Sequence, residues 1–309
     1  KQLKSELEAL GSKVTIASCD VADKAAVQAL VDSLKDTLSA VIHAAGAANY
    51  VLIPELTTEI LEQDIGAKVT GAWNLHEATE AISLKAFISY GSIAGLWGSG
   101  QQLAYSAANA ALEGLARHRQ AQGLAGSCLH WGPWSGGGLV DLAGEENQGE
   151  QALVRRGLLP MAPETAIEGL EAALHFSGAS LGVVDVDWSL FARSFASMRS
   201  RPLLDGIAEA HRAMHEKVVD EQLSTRRDEI LAVPADKREA AILELVIQEV
   251  AAVLGLADVG SIDADEPLNN LGLDSLMAVQ LRDRFEHLTQ TELSATLAFD
   301  YPTPQLLSA

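Results

Sequence analysis

At 309 residues the chain is long enough for two domains, and its apolar content of 48% is ordinary for globular protein. A formal net charge of −20 argues against nucleic acid or an anionic membrane surface as partner, since both need a basic face. No apolar run approaches the roughly 20 residues that span a bilayer. The two cysteines, Cys19 and Cys128, sit in strand-like runs and read as small buried hydrophobes in a reducing cytoplasm, not as a disulfide or metal pair.

Leu3, Leu7 and Leu10 have helical spacing closed by Gly11, which makes the first residues an amphipathic Lys/Glu/Leu helix rather than a signal sequence. Val14 to Ala17 reads as a strand. Cys19-Asp-Val-Ala-Asp23 leads into a second helix with Asp23 as cap and Val27, Leu30, Val31 and Leu34 on one face. Ala40 to His43 is the next strand, followed by helices over roughly 57–64 and 68–81. An apolar run ends at Ser92, a glycine-broken loop follows, Tyr105 opens a helix, and Ser127 to Trp131 is a further strand. Strand and helix alternating at these lengths predict a Rossmann-like α/β fold, a parallel sheet covered on both faces, with Leu181 to Asp187 as last strand.

Residues 132–162 contain Gly136-Gly-Gly138 and Glu145-Glu-Asn-Gln-Gly-Glu150, a stretch expected to form a substrate lid, with a plain surface loop as the alternative. The first domain is expected to run over 1–215, and a charged, partly helical tether over 216–236. From Lys237 to Ala309 a small all-α four-helix unit is predicted. Its first helix carries Ile242, Leu245, Val246, Glu249, Val250 and Val253 in one stripe closed by Gly255.

Ser92 at a strand end can hydrogen-bond a carbonyl oxygen, and Tyr105 on a rigid helix can give it a proton; Asn109 lies one turn along on the same face. A capped turn with a surface tyrosine is the plainer reading of either residue alone. Both in one frame favour carbonyl reduction.

Four segments resemble the ketoreductase domains of modular (type I) polyketide synthases, a branch of the short-chain dehydrogenases. They are His43-Ala-Ala-Gly46, Lys68-Val-Thr-Gly-Ala-Trp-Asn-Leu-His76, Ser92 to Asn109, and His130-Trp-Gly-Pro-Trp134. Leu271-Gly-Leu-Asp-Ser-Leu276 and Phe299-Asp-Tyr-Pro-Thr-Pro304 resemble an acyl carrier protein. The resemblance implies that Ser92 and Tyr105 hold the ketone oxygen and Tyr105 protonates it. It also implies that Lys68 takes the place of the lysine usually four residues after the tyrosine, where this chain has Asn109. A nearby cation favours the phenolate and lowers a tyrosine pKa from its usual value near 10.

The same resemblance implies NADPH as cofactor, with Asp20 and Val21 at the adenine and Ala44, Ala45 and Gly46 in the turn beside the cofactor. Pro133 and Trp134 would then lie near the nicotinamide. Gly46 would allow close approach because it has no Cβ. Ser275 is implied as the attachment point of 4′-phosphopantetheine, at a helix start where the dipole favours a phosphate. Partners implied are the acyl thioester on the carrier, other synthase domains and a phosphopantetheinyl transferase. Trp97, eight residues before Tyr105, marks enzymes of this family that give an L-hydroxyl.

A dinucleotide-binding sheet opens on a strand and a glycine-rich turn, and no such turn occurs here. The expectation is a ketoreductase whose first βαβ portion is missing from the chain; a degenerate, cofactor-free domain is the alternative. Two rivals complete the reading: an α-ketoacyl reductase with a carrier in a nonribosomal peptide synthetase, and a non-catalytic reductase-like scaffold beside a carrier.

Overall fold

The computed structural model describes residues 2–136, 148–196, 201–215, 221–254, 256, 259–273, 275–294 and 296–309. Two units result, residues 1–151 with 159–185 and residues 152–158 with 186–309. No helix among the described residues is long and apolar enough to cross a membrane.

In the first unit, helix α1 (Gln2–Ala9) and helix α2 (Lys24–Leu34) precede strand β1 (Ala40–His43). Asp23 caps α2 as expected, accepting from the Ala25 and Ala26 amides at 2.9 and 3.1 Å. Val14 to Ala17 does not form a strand: residues 12–20 carry no ladder, and Ile16 is 68% exposed. Strand-forming side chains need a paired neighbour, and that stretch has none among the described residues.

Helix α3 (Thr58–Ile65) runs into a π-helical segment, Gly66–Thr70, and then helix α4 (Gly71–Thr79). Strand β2 (Ala86–Ser92), the short helix α5 (Ala94–Trp97), helix α6 (Leu103–Ala121) and strand β3 (Ser127–Trp131) follow. Helix α7 (Gln148–Arg155), strand β4 (Leu158–Leu159), helix α8 (Pro163–Leu174) and strands β5 (Ser180–Val183) and β6 (Asp185–Val186) come next. The main sheet has the order β1-β2-β3-β5, every pair parallel. The last strand is shorter than the sequence suggests: pairing with β3 ends at Val183, and β6 belongs to a separate two-stranded sheet with β4. The stretch expected as a lid contains α7 and β4, and residues 137–147 lie outside the described residues.

Parallel strands must be covered by helices, and the apolar side chains show where. Phe87, Leu112, Leu115 and Cys128 form one cluster, and Ile88, Leu129, Trp131 and Met161 another. Each fully buried side chain of this size stabilises the fold by about 1.5–3 kcal/mol. Arg119 is also buried in α6. It lies 3.9 Å over the Phe87 ring, donates to the Ala125 carbonyl at 2.7 Å and meets His76 Nδ1 at 2.9 Å. A guanidinium can only donate, so His76 must accept there. Burial and the Arg119 charge lower the His76 pKa.

In the second unit, helix α9 (Trp188–Ala196) packs against helix α10 (Ala208–His215), and Phe191, Ala192, Ala210 and Ala213 of the two are buried. Helices α11 (Glu221–Ala232), α12 (Ala235–Leu254), α13 (Ser275–Thr289), α14 (Leu297–Asp300) and α15 (Pro304–Leu307) complete the chain. Val246, Val250, Leu268, Leu281, Phe285 and Ala298 form their core, and Leu223 of α11 enters it. The stretch read as a tether therefore contributes a helix to this core.

Glu249, in the apolar stripe of α12, is fully buried and paired with Arg226 of α11 and Arg284 of α13. A buried carboxylate is tolerated only when it is charge-paired and hydrogen-bonded. Removing one of the two arginines in Arg226→Ala should cost about 1–3 kcal/mol. A lowered denaturation midpoint for this unit, followed by helical circular dichroism, checks it.

Candidate active site

The site forms where β1 and β2 end. Ser92 is the last residue of β2, and its hydroxyl accepts from the Ala94 amide at 3.2 Å, which turns the chain into α5. Tyr105 enters in the first turn of α6 and is 8% exposed. The Ser92 side chain is a polar neighbour of its phenol. Asn109 follows one turn later, fully buried, and donates to the Tyr105 carbonyl at 2.7 Å, while its Oδ1 has no partner.

Lys68 reaches the same place from the π-helical turn. The widened turn is a local device often found at functional sites. The Lys68 carbonyl accepts from His43 Nε2 at 2.9 Å, which ties the turn to the end of β1. The Lys68 side chain is 6% exposed, and Nζ donates to the Tyr90 carbonyl at 3.2 Å and lies 5.5 Å from the Tyr105 ring centre. The structure thus brings Lys68, Ser92, Tyr105 and Asn109 together.

Burial pushes the Tyr105 phenol above its ordinary pKa, and the polar Ser92 and Asn109 side chains pull the other way. Burial likewise lowers the Lys68 pKa. Desolvation of Tyr105 outweighs these two neighbours, and the depression expected from a neighbouring cation does not appear.

Of the remaining predicted residues, Gly46 meets this centre directly and the others are held by contacts of their own. Ala44, Ala45 and Gly46 continue straight from β1, with Ala44 and Gly46 exposed. A Cβ on Gly46 would fall 2.7 Å from Lys68 Cε and 3.0 Å from Nζ. The missing side chain makes room for Lys68 itself. Asp20 is exposed and its carboxylate accepts the Ala22 amide at 2.9 Å, while the Val21 carbonyl accepts Asn74 Nδ2 at 2.9 Å. Pro133 and Trp134 are fastened to Met161, whose amide donates to the Pro133 carbonyl at 2.9 Å. Trp97 ends α5, half-buried.

Two participants escaped the sequence reading. Asn74 pins the Val21 segment to α4. His130, fully buried in β3, meets the Ser92 carbonyl at 2.9 Å through Nδ1. A carbonyl only accepts, so Nδ1 carries the proton and Nε2 faces Cys128 Sγ at 3.5 Å and Glu113 at 3.4 Å. Burial pushes the Cys128 thiol up to about 12, consistent with an unreactive core cysteine, whereas Cys19 is half-buried. No metal-holding cluster occurs among the described residues.

In the second unit Ser275 is the first residue of α13. The turn before it needs Gly272, whose φ of +93° suits glycine, and Leu273 donates to the Leu268 carbonyl at 3.0 Å. Asp274 lies outside the described residues, as does Gly255.

A parallel α/β sheet with serine, tyrosine and lysine meeting at its strand ends defines the short-chain dehydrogenase class. Residues 1–136 match the KR domain family and residues 244–309 the phosphopantetheine attachment site family. Polyketide synthase GfsA of Streptomyces halstedii is 41% identical over 99% of this chain, and the pikromycin synthase component PikAIII of Streptomyces venezuelae 38% over 100%. The chain spans 4% and 20% of those two proteins. Among solved structures, A-type ketoreductases from a modular polyketide synthase superpose with a TM-score of 0.65 at 39% identity, covering 69% of this chain and 44% of theirs. The first ketoreductase of the tylosin synthase gives 0.63 at 41% identity, covering 69% and 46%. The chain is thus a KR-domain segment followed by a phosphopantetheine-attachment segment, and the proteins it is similar to are modular polyketide synthases.

Gly46→Ala should displace the Lys68 ammonium while leaving the fold intact. A misplacement of this size costs on the order of 100-fold in turnover. Comparing kcat and melting temperature in the full-length polypeptide checks that the loss is local.

Proposed function

We propose that the chain reduces a carrier-bound β-ketoacyl thioester to the β-hydroxyacyl form, using NADPH, and that Ser275 bears the phosphopantetheine arm. The observation that carries the reading is the convergence of Ser92, Tyr105 and Lys68 at the end of β2. Ser92 holds the ketone oxygen, and the Tyr105 phenol gives it a proton. The phenolate left behind lies near the Lys68 ammonium, which stabilises the charge in a site with little water. Asn109 holds the first turn of α6, and with it Tyr105, through the Tyr105 carbonyl.

The residues present fit the nicotinamide end of a dinucleotide. Lys68 Nζ donates to one backbone carbonyl and has further N–H groups for ribose hydroxyls. The exposed backbone at Ala44 and Gly46 and the fastened Pro133–Trp134 segment would flank it, with Asp20 and Val21 toward the adenine. When bound, NADPH supplies the hydride that the carbonyl carbon accepts.

The carrier relation implies other synthase domains as partners and a phosphopantetheinyl transferase acting on Ser275. Trp97 points to an L-hydroxyl product.

Tyr105→Phe removes the proton donor and should lower NADPH oxidation with a β-ketoacyl thioester by about 100-fold or more in the full-length polypeptide. Chiral chromatography of the wild-type product should show the L form. Near-normal turnover in the variant would sink the catalytic assignment, and a D product the stereochemical one.

Incubation with coenzyme A and a transferase should add one phosphopantetheine to the wild type and none to Ser275→Ala. Intact-protein mass spectrometry reads both. Label on the alanine variant would place the attachment elsewhere.

A further inference from the structure

Asp64 has no part in the reaction as derived above, yet it is the one fully buried aspartate among the described residues. It lies in α3, which packs on α6, the helix that carries Tyr105. Oδ1 accepts from Asn49 Nδ2 at 2.8 Å. Oδ2 is buried with no partner at all. A carboxylate in this condition weakens a fold, since its desolvation is repaid by a single neutral hydrogen bond. An apolar residue would pack the position at lower cost. Such a group calls for an explanation outside stability.

Its partner supplies one. Asn49 belongs to the segment between β1 and α3, and the next residue, Tyr50, has Gln102 and Tyr105 among the neighbours that act on its phenol. The following amide, Val51, donates to the Gln101 carbonyl at 2.8 Å. The 49–51 segment is therefore stitched on one side to α3 and on the other to the residues that open α6.

We propose that Asp64 is a positioning residue for Tyr105: through Asn49 its buried carboxylate clamps the 49–51 segment, with Tyr50, against the start of α6, and its charge faces the Tyr105 phenol. The inference rests on the catalytic role given to Tyr105 above. Among the described residues, Lys68 of the π-helical turn lies 5.5 Å from the Tyr105 ring centre, the charge of Asp64 in α3 acts on the phenol, and Tyr50 of the clamped segment interacts with it. After burial, the Asp64 charge is a further influence that favours the neutral phenol, the form able to donate a proton.

The two halves of the proposal separate experimentally. Asp64→Asn keeps an oxygen for Asn49 and loses the charge, Asp64→Leu loses both, and Asn49→Ala breaks the clamp from its more exposed end. Hydrogen–deuterium exchange on the full chain tests the clamp without any turnover. Peptides covering 47–53 should exchange about 10-fold faster in Asp64→Leu and Asn49→Ala, with the β2 and β3 peptides unchanged. If Asp64→Leu does not fold, Asn49→Ala decides. Wild-type exchange at 47–53 in Asn49→Ala overturns the clamp.

The charge is tested by the pH profile of kcat in the full-length polypeptide. Loss of the Asp64 charge makes Tyr105 easier to deprotonate, so the alkaline limb of Asp64→Asn should move down by about 0.5–1 pH unit. A limb that stays in place overturns the electrostatic half. Absence of turnover in the wild type itself would refute the reductase reading, and the exchange data would still decide the clamp.

Discussion

Lys68 carries its ammonium inside the protein, 6% exposed, with the Tyr90 carbonyl as acceptor and the Tyr105 ring beside it. Desolvating a cation this far is expensive, and burial alone would favour the neutral amine. Everything local is arranged around accepting that cost. The π-helical turn swings the side chain inward, His43 holds the turn by its carbonyl, and Gly46 gives up a side chain to leave the space. Gly71, the first residue of α4, is equally constrained, for a Cβ there would lie 2.7 Å from Val21. The same short stretch thus seats the cation and the Asp20–Val21 segment.

Much of this was legible in the amino-acid order because the signals are local. Asp23 caps α2, Ser127–Trp131 is a strand at the predicted bounds, and Ser92 and Tyr105 fall on a strand end and a helix start. Period and capping need only neighbouring residues. What depends on a distant partner was not legible. Val14 to Ala17 has strand composition but no ladder, and the two helices expected over roughly 57–64 and 68–81 are joined without a break by the π-helical segment at 66–70. Asn74, His130 and Asp64 were invisible for the same reason, since each acts through a contact with residues far along the chain.

Three buried ionisable groups show three degrees of compensation. Glu249 has two arginines, Lys68 has one carbonyl and an aromatic face, and Asp64 has a single amide. The well-paired group lies in the carrier core, where its work is to join helices. The two poorly paired groups lie beside Tyr105. Sparse compensation leaves electrostatic potential unspent, and a catalytic proton is one of the few things in a protein that can draw on it.

The arginine that α11 contributes to Glu249 also bears on how carriers are exchanged between synthases. A seam drawn by sequence motif would fall near Lys237, at the start of the recognised stripe, and would hand the recipient a carboxylate with half its counter-charge and a core without Leu223. The transplant would keep its serine and its helices and still arrive weakened. Cutting ahead of Glu221 moves the acid together with the base that answers it, so the unit of inheritance is set by a pair of charges rather than by the boundary of the motif.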